Sequence, residues 1–196
     1  MTEFQQNSCV VIRNFVDPVT ISTLSRYLEN KVRRSDFTYR PPGVSNDTEP
    51  SALFCYADEL TEVILADSVS AVEEITGLSL FPTYSYTRVY LKGDELTPHV
   101  DRPSCEISAT VHVATKGNPW PIWMKVPGKD PIKIEMNPGD AVFYKGCEVT
   151  HWREKMVDSE INVQFMLHYV NQNGPNAEYK WDKRPDLGYK METRST

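Results

Sequence analysis

The sequence predicts a mostly β fold with supporting α-helices, an antiparallel sandwich or barrel for which a jelly roll is a good candidate. Three observations predict it. Helical periodicity is confined to residues 1–80. From Tyr84 the period drops to two, with Tyr84, Tyr86, Arg88 and Tyr90 alternating against Ser85, Thr87 and Val89. Beyond that point Gly-Asp, Gly-Asn-Pro, Pro-Gly-Lys-Asp and Pro-Gly-Asp punctuate a series of short strands, the pattern of a closed or two-layered β architecture.

The elements follow in order. Ser8–Val16 is rich in β-branched residues and reads as a strand. Asp17-Pro18 opens a helix as N-cap and first-turn proline, and Ile21, Leu24, Leu28 and Val32 give it one apolar stripe to lay on a sheet. Lys31, Arg33 and Arg34 close it as a solvated basic end that suits the helix dipole. Ser35–Pro50 is loop text, either a plain connector or a lid. A second helical stretch spans Asp58–Thr76 and stops at Gly77. After the Tyr84–Tyr90 strand come Glu106–Ala114, Pro121–Val126, Pro131–Glu135, Ala141–Tyr144, a segment near His151 and Ile161–Val170. The polar, aromatic-bearing stretch from Asn171 is expected to pack over the barrel and then fray. The 196 residues are thus expected to form one domain: helical support over 1–80, a jelly-roll core over 81–170 and a C-terminal extension over 171–196.

Composition narrows the function classes. At 40% hydrophobic and 24% charged residues the chain can bury a core, and a net charge of -6 without a dense basic block argues against a nucleic-acid partner. No apolar run reaches the length of a membrane span, and the first residues carry no signal-peptide pattern. The scattered Cys9, Cys55, Cys105 and Cys147 fit free thiols serving as buried filler in a reducing, cytoplasmic setting.

The chemistry concentrates between Tyr84 and His151. His99 and Asp101 stand one residue apart. On a strand such residues share a face, with Cα atoms about 6.5–7 Å apart, so imidazole and carboxylate can grip one ion. His151 offers the third ligand of a 2-His-1-carboxylate facial triad, a set that holds Fe(II) and leaves positions open. His112 and His168 lack a carboxylate at metal spacing and read as satisfied structural histidines, while Trp120, Trp123, Trp152, Tyr84 and Tyr86 read as packing residues.

The ordered set Tyr90-Leu-Lys-Gly-Asp-Glu-Leu-Thr-Pro-His99-Val-Asp101, then Pro138-Gly139-Asp140, then His151 resembles the 2-oxoglutarate/Fe(II)-dependent oxygenases, and within them the prolyl-hydroxylase-like members. The resemblance spans Tyr84 to Val170 and implies a double-stranded β-helix, the jelly roll with flanking helices. It also implies iron held by His99, Asp101 and His151, and 2-oxoglutarate hydrogen-bonded by Tyr90. The implied reaction uses O₂, with ascorbate as a supporting reductant, to hydroxylate an unactivated C–H bond while 2-oxoglutarate is decarboxylated to succinate and CO₂. The Pro-Gly-Asp turn is structural, Gly139 permitting the turn and Asp140 bonding its backbone.

The family's cation for the far carboxylate of 2-oxoglutarate is missing from its usual place, where Ile161-Asn162-Val163-Gln164 stands. A buried dicarboxylate needs a compensating charge. Strand alternation brings Arg153 back to the His151 side, and Arg88 stands in the same relation to Tyr90, so these two are the replacements, Arg153 first. Arg153 could instead pair with Glu148 or Glu154. Arg102 is expected to face substrate or pair with Glu106. The compact chain favours a small-molecule substrate over a protein. Asp101 favours hydroxylation over halogenation, which needs a small residue there. A cupin-like iron enzyme without 2-oxoglutarate and a non-catalytic jelly-roll binding module are the alternatives.

Overall fold

The structure is a computed structural model that describes residues 1–40 and 52–188. In chain order the elements are α1 (Glu3–Asn7), β1 (Cys9–Ile12), α2 (Pro18–Arg33), β2 (Thr38–Arg40), β3 (Ala52–Tyr56), α3 (Glu59–Asp67), α4 (Val69–Thr76), β4 (Leu80–Leu91), β5 (Leu96–His99), β6 (Ile107–Gly117), β7 (Ile122–Lys125), β8 (Ile132–Ile134), β9 (Ala141–Lys145), β10 (Thr150–Arg153) and β11 (Ser159–Asn171). Two 3₁₀ segments, Pro103–Cys105 and Ala177–Lys183, complete the list. All strand pairs are antiparallel. A seven-stranded sheet runs in the order β1-β9-β6-β11-β4-β3-β2 and a four-stranded sheet in the order β5-β10-β7-β8, which is the double-stranded β-helix.

The helices begin where capping chemistry allows. Asp17 accepts from the backbone N–H of Val19 and Thr20, with Pro18 following it in the first turn. Ile21, Leu24 and Leu28 then bury the apolar stripe of α2 against the large sheet. The basic end of α2 is only partly solvated. Arg33 and Arg34 meet Glu29 and Asp36 at the surface, but Lys31 Nζ pairs with the buried carboxylate of Asp58. Asp58 also caps α3 and accepts from Tyr27 Oη at 2.9 Å, so one carboxylate ties the two helices together.

Several boundaries differ from expectation. The first strand stops at Ile12, because Asn14 turns the chain at φ 51 and hangs its N–H on Asp140 Oδ1. The Ser35–Pro50 stretch is not all loop: Thr38–Arg40 pairs with β3 as the sheet edge. Residues 41–50, with the lid expectation, lie outside the described residues. The second helical stretch divides at Ser68 into α3 and α4, and α4 ends on Gly77 at φ 70. The expected Tyr84–Tyr90 strand is the middle of a longer one, since β11 pairs along it from Leu80 to Leu91.

The central strands separate two environments. Val89 of β4, Ile107, Ala109, Val111 and Val113 of β6, and Phe165, Leu167 and Tyr169 of β11 face the helices and form the main core. Their alternate neighbours face the four-stranded sheet. The Pro138-Gly139-Asp140 turn behaves as expected: Asp140 accepts from Asn137 N at 2.8 Å and from Arg13 at 2.7 Å. Gly139 sits at φ 91, where an added Cβ would stand 2.5 Å from Val16 O.

The chain past Asn171 returns across β4. Arg184 donates to both carboxylate oxygens of Glu62, at 3.1 and 2.6 Å, and to Thr83 O at 2.9 Å, with both side chains buried. Removing one member of such a pair leaves the other charge buried. Glu62→Gln should therefore lower unfolding free energy by about 3–5 kcal/mol, read from a urea or thermal denaturation curve.

Candidate metal centre

β5 and β10 lie side by side with His99 directly opposite His151. That register sets the two imidazoles against each other, ring centroids 4.2 Å apart. Each ring is locked by the carbonyl two residues back, His99 Nδ1 donating to Thr97 O at 2.8 Å and His151 Nδ1 to Val149 O at 3.1 Å. A carbonyl can only accept, so Nδ1 carries the proton of the neutral ring and Nε2 keeps its lone pair for a metal.

Asp101 arrives differently from the expectation. β5 ends at His99, and Asp101 lies beyond it in the turn before Pro103–Cys105. Backbone pairing with Gly146 O, at 2.8 Å from Asp101 N, brings the carboxylate in place of strand alternation. Oδ1 stands 3.8 Å from His99 Nε2 and 3.5 Å from His151 Nε2. Ser108 Oγ holds Oδ2 at 2.9 Å. One ligand atom from each of the three residues lies within 4.8 Å of the others, and the neutral imidazoles with one carboxylate suit a divalent transition ion.

Burial sets the protonation states. It lowers the His151 imidazole to about 4 and depresses His99, where the neighbouring His151 adds to the effect. Burial pushes the Asp101 carboxyl up to about 6, against the Ser108 hydrogen bond. The uncompensated cluster thus resists ionisation until a cation joins it.

The site opens into a cavity of about 620 Å³ between the sheets. Tyr90 and Arg88 line it from β4, with the Arg88 guanidinium 4.9 Å from the Tyr90 ring centroid. Arg153 lines it from β10, turned inward as strand alternation requires, while Trp152 stacks outside on Trp123 with centroids 5.8 Å apart. Arg153 does not pair with Glu148 or Glu154 among the interactions of the described residues. Its Nη1 donates to Trp120 O, its guanidinium lies 4.9 Å from the Trp120 ring centroid, and its Nη2 is buried without an acceptor. Burial lowers this cation only to about 10, so it stays charged at neutral pH. In the place where a cation was missing, Gln164 donates to Asn162 Oδ1 at 2.6 Å.

Other expectations need correction. Arg102 pairs with Asp182 at 2.8 Å rather than with Glu106, whose carboxylate accepts from Asn171 N. His168 does have a carboxylate near it: its Nδ1 meets Ser108 Oγ at 2.9 Å, and its ligand atom groups with those of Asp101 and Cys105. His112, by contrast, is the satisfied histidine expected, its Nε2 meeting Thr115 Oγ1 at 3.1 Å. Tyr84 and Tyr86 pack in ring pairs with Tyr56 and Phe54 and also line the cavity, whereas Cys55 and Cys147 are only half-buried. Sequence reasoning missed Ser108, Gly146 and Tyr144, whose Oη is 3.5 Å from His151 Nε2. Only the glycine had a local signal, a small residue following the strand that precedes the distal histidine.

No protein-family model matches the chain, and no curated protein matches it. Solved structures do. The non-haem α-ketoglutarate-dependent epimerase SnoN of nogalamycin biosynthesis superposes with a TM-score of 0.73 at 11% identity, covering 95% of this chain and 88% of that one. A prolyl-4-hydroxylase from Pseudomonas putida gives 0.65 at 13%, covering 85% and 95%. HygX from Streptomyces hygroscopicus, solved with nickel, 2-oxoglutarate and hygromycin B, gives 0.66 at 12%, covering 87% and 85%. The chain shares their fold.

Two measurements test the centre. Metal binding needs Asp101 ionised, and its raised pKa means the folded protein holds that proton from the ordinary 3.8 up to about 6. Asp101 alone would cost the metal-free protein stability as pH rises through that window, but the buried, neutral His99 and His151 act the other way over the same range, so the metal's own effect is the readout: Mn(II) or Ni(II) should raise the melting temperature far more at pH above about 6 than below it. Separately, a Cβ on Gly146 would stand 2.0 Å from Cys105 O and 2.6 Å from Asp101 Oδ2. Gly146→Ala should weaken Mn(II) binding about tenfold or more in calorimetry by displacing the carboxylate, the size of effect seen when supports of a ligand are disturbed.

Proposed function

We propose that this protein is a 2-oxoglutarate-dependent Fe(II) oxygenase that hydroxylates an unactivated C–H bond of a small molecule, forming succinate and CO₂. The observation that carries the reading is the convergence of His99, Asp101 and His151, with both Nδ1 atoms engaged and both Nε2 atoms turned to Oδ1. The three residues would hold the ion, and Asp101 would neutralise one of its charges. Fe(II) and 2-oxoglutarate, when bound there, would supply the oxidising power.

The residues of the chain bind and orient. Arg153 is the cation for the far carboxylate of 2-oxoglutarate, since its buried Nη2 lacks an acceptor and points to a ligand that brings one. A guanidinium kept ionised in such surroundings fits a planar carboxylate. Tyr90 lends its hydroxyl at the same end of the cavity, and Arg88 adds positive potential beside it. Walls from both sheets keep bulk water from the reacting atoms. Solved proteins of this fold include both an epimerase and a hydroxylase. Asp101 favours hydroxylation over halogenation, because the carboxylate occupies the position a halide would need.

The test is succinate release and the visible charge-transfer band that forms when Fe(II) and 2-oxoglutarate are mixed with the protein without oxygen. Both are expected in the native protein. Arg153→Leu should weaken 2-oxoglutarate binding by about tenfold or more, the loss of a charged hydrogen bond, while Mn(II) affinity is retained. Loss in Arg88→Leu but not in Arg153→Leu would give the role to Arg88. Absence of both succinate and the band would favour an iron enzyme that does not use 2-oxoglutarate.

A further inference from the structure

The two oxygens of Asp101 serve different neighbours. Oδ1 is turned to the Nε2 atoms of His99 and His151, at 3.8 and 3.5 Å, while Oδ2 accepts from Ser108 Oγ at 2.9 Å. Around Ser108 lies a second group of ligand atoms that the oxygenase reading does not use. His168 of β11 stands directly opposite Ser108 of β6 in the ladder, and its Nδ1 meets Ser108 Oγ at 2.9 Å. Cys105 closes the 3₁₀ turn that follows Asp101, and its carbonyl lies 3.1 Å from the same hydroxyl. One ligand atom each from Asp101, Cys105 and His168 lies within 4.8 Å of the other two. All three residues line the cavity, so a cation that enters it can reach either group.

The sulfur sets this group apart from the first. Tyr84 Oη stands 3.0 Å and Ser104 Oγ 4.0 Å from Cys105 Sγ, both able to donate, and the Arg102 guanidinium lies 4.7 Å from the Tyr84 ring centroid. These neighbours favour a negative sulfur. Burial first, and the Asp101 charge second, oppose it and hold the thiol protonated. A divalent ion between sulfur and carboxylate removes both objections. Thiolate, imidazole and carboxylate together suit Zn(II) or Cd(II), whereas the sulfur-free trio suits harder ions such as Mn(II). Oδ2 keeps a further lone pair for the ion beside the Ser108 hydrogen bond, and cavity water completes the coordination.

We propose that Asp101, Cys105 and His168 form a second metal site, selective for a thiophilic divalent ion, and that it and the first trio exclude one another by sharing Asp101. On binding, the thiol proton passes to solvent as the sulfur–metal bond forms, and no oxidation state changes. The exclusion is electrostatic: one carboxylate and one thiolate cannot offset two divalent ions held side by side away from bulk water. The site does not depend on oxygenase activity.

The test is an ultraviolet titration of the reduced, chelator-treated protein with Cd(II), read at the thiolate-to-Cd(II) charge-transfer band. The native protein should develop the band within one equivalent. Cys105→Ser should abolish it while keeping the native circular dichroism and Mn(II) affinity. His168→Gln should weaken Cd(II) binding about tenfold or more. His99→Ala, which disables the first trio, should keep the band. Excess Mn(II) should weaken Cd(II) binding about tenfold or more in the native protein and leave it unchanged in His99→Ala. Absence of the band from the native protein, or a band that survives Cys105→Ser and so reports another cysteine, would overturn the site. A native band indifferent to Mn(II) bound at the first trio would overturn the exclusion. Failure of Mn(II) to bind the native protein would remove the first centre and leave the Cys105-dependent band to decide the second.

Discussion

The constraint on which the rest of this structure depends is the two-residue period of its central strands. Each position in β4, β6 and β11 must face either the helices or the smaller sheet, with no third choice. Val89, Val111 and Phe165 take the helix side and build a dry core. Tyr84, Arg88, Tyr90, Thr110, Gln164 and His168 take the other side and build the cavity. A one-residue slip in the pairing of β11 would exchange the two sets, burying Gln164 and His168 among leucines and exposing Phe165. Core and cavity are therefore held by the same hydrogen-bond register.

Within that frame the metal centre is assembled at some cost to the metal-free fold. Two neutral imidazoles and a carboxyl are brought together with little water around them, and the carboxyl resists ionising. Gly146 lets the backbone of Cys105 and the Asp101 side chain come close enough, and Ser108 directs one carboxylate oxygen so that the other faces both Nε2 atoms. Such a group could hold a cation, which would offset the repulsion and desolvation that its crowding creates.

The distribution of charge in the cavity gives the site its polarity. Arg153 offers a buried, unsatisfied guanidinium N–H at one end. At the other, Arg102 pairs with Asp182 at 2.8 Å among aromatic rings. The His99–Asp101–His151 trio connects to this aromatic end through Ser108 and His168. The Ala177–Lys183 segment matters here, because it carries Asp182 back to the cavity.

Local patterns determined much of this from the sequence alone. The alternation in TYSYTRVY assigned Tyr84, Tyr86, Arg88 and Tyr90 to one face, and the same rule turned Arg153 inward beside His151. Asp17-Pro18 placed the start of α2, and Pro-Gly-Asp its turn. These are legible because periodicity and capping act over a few residues. What tertiary structure alone decided is which distant segments meet. Asp101 reaches the histidines by pairing with Gly146, not by strand alternation; Lys31 finds Asp58; Arg102 finds Asp182 from the far end of the chain; and β3 brings Phe54 and Tyr56 beside Tyr84 and Tyr86. No short-range signal encodes such meetings, since they follow from the sheet order, and that order is selected by the burial of all the strands at once.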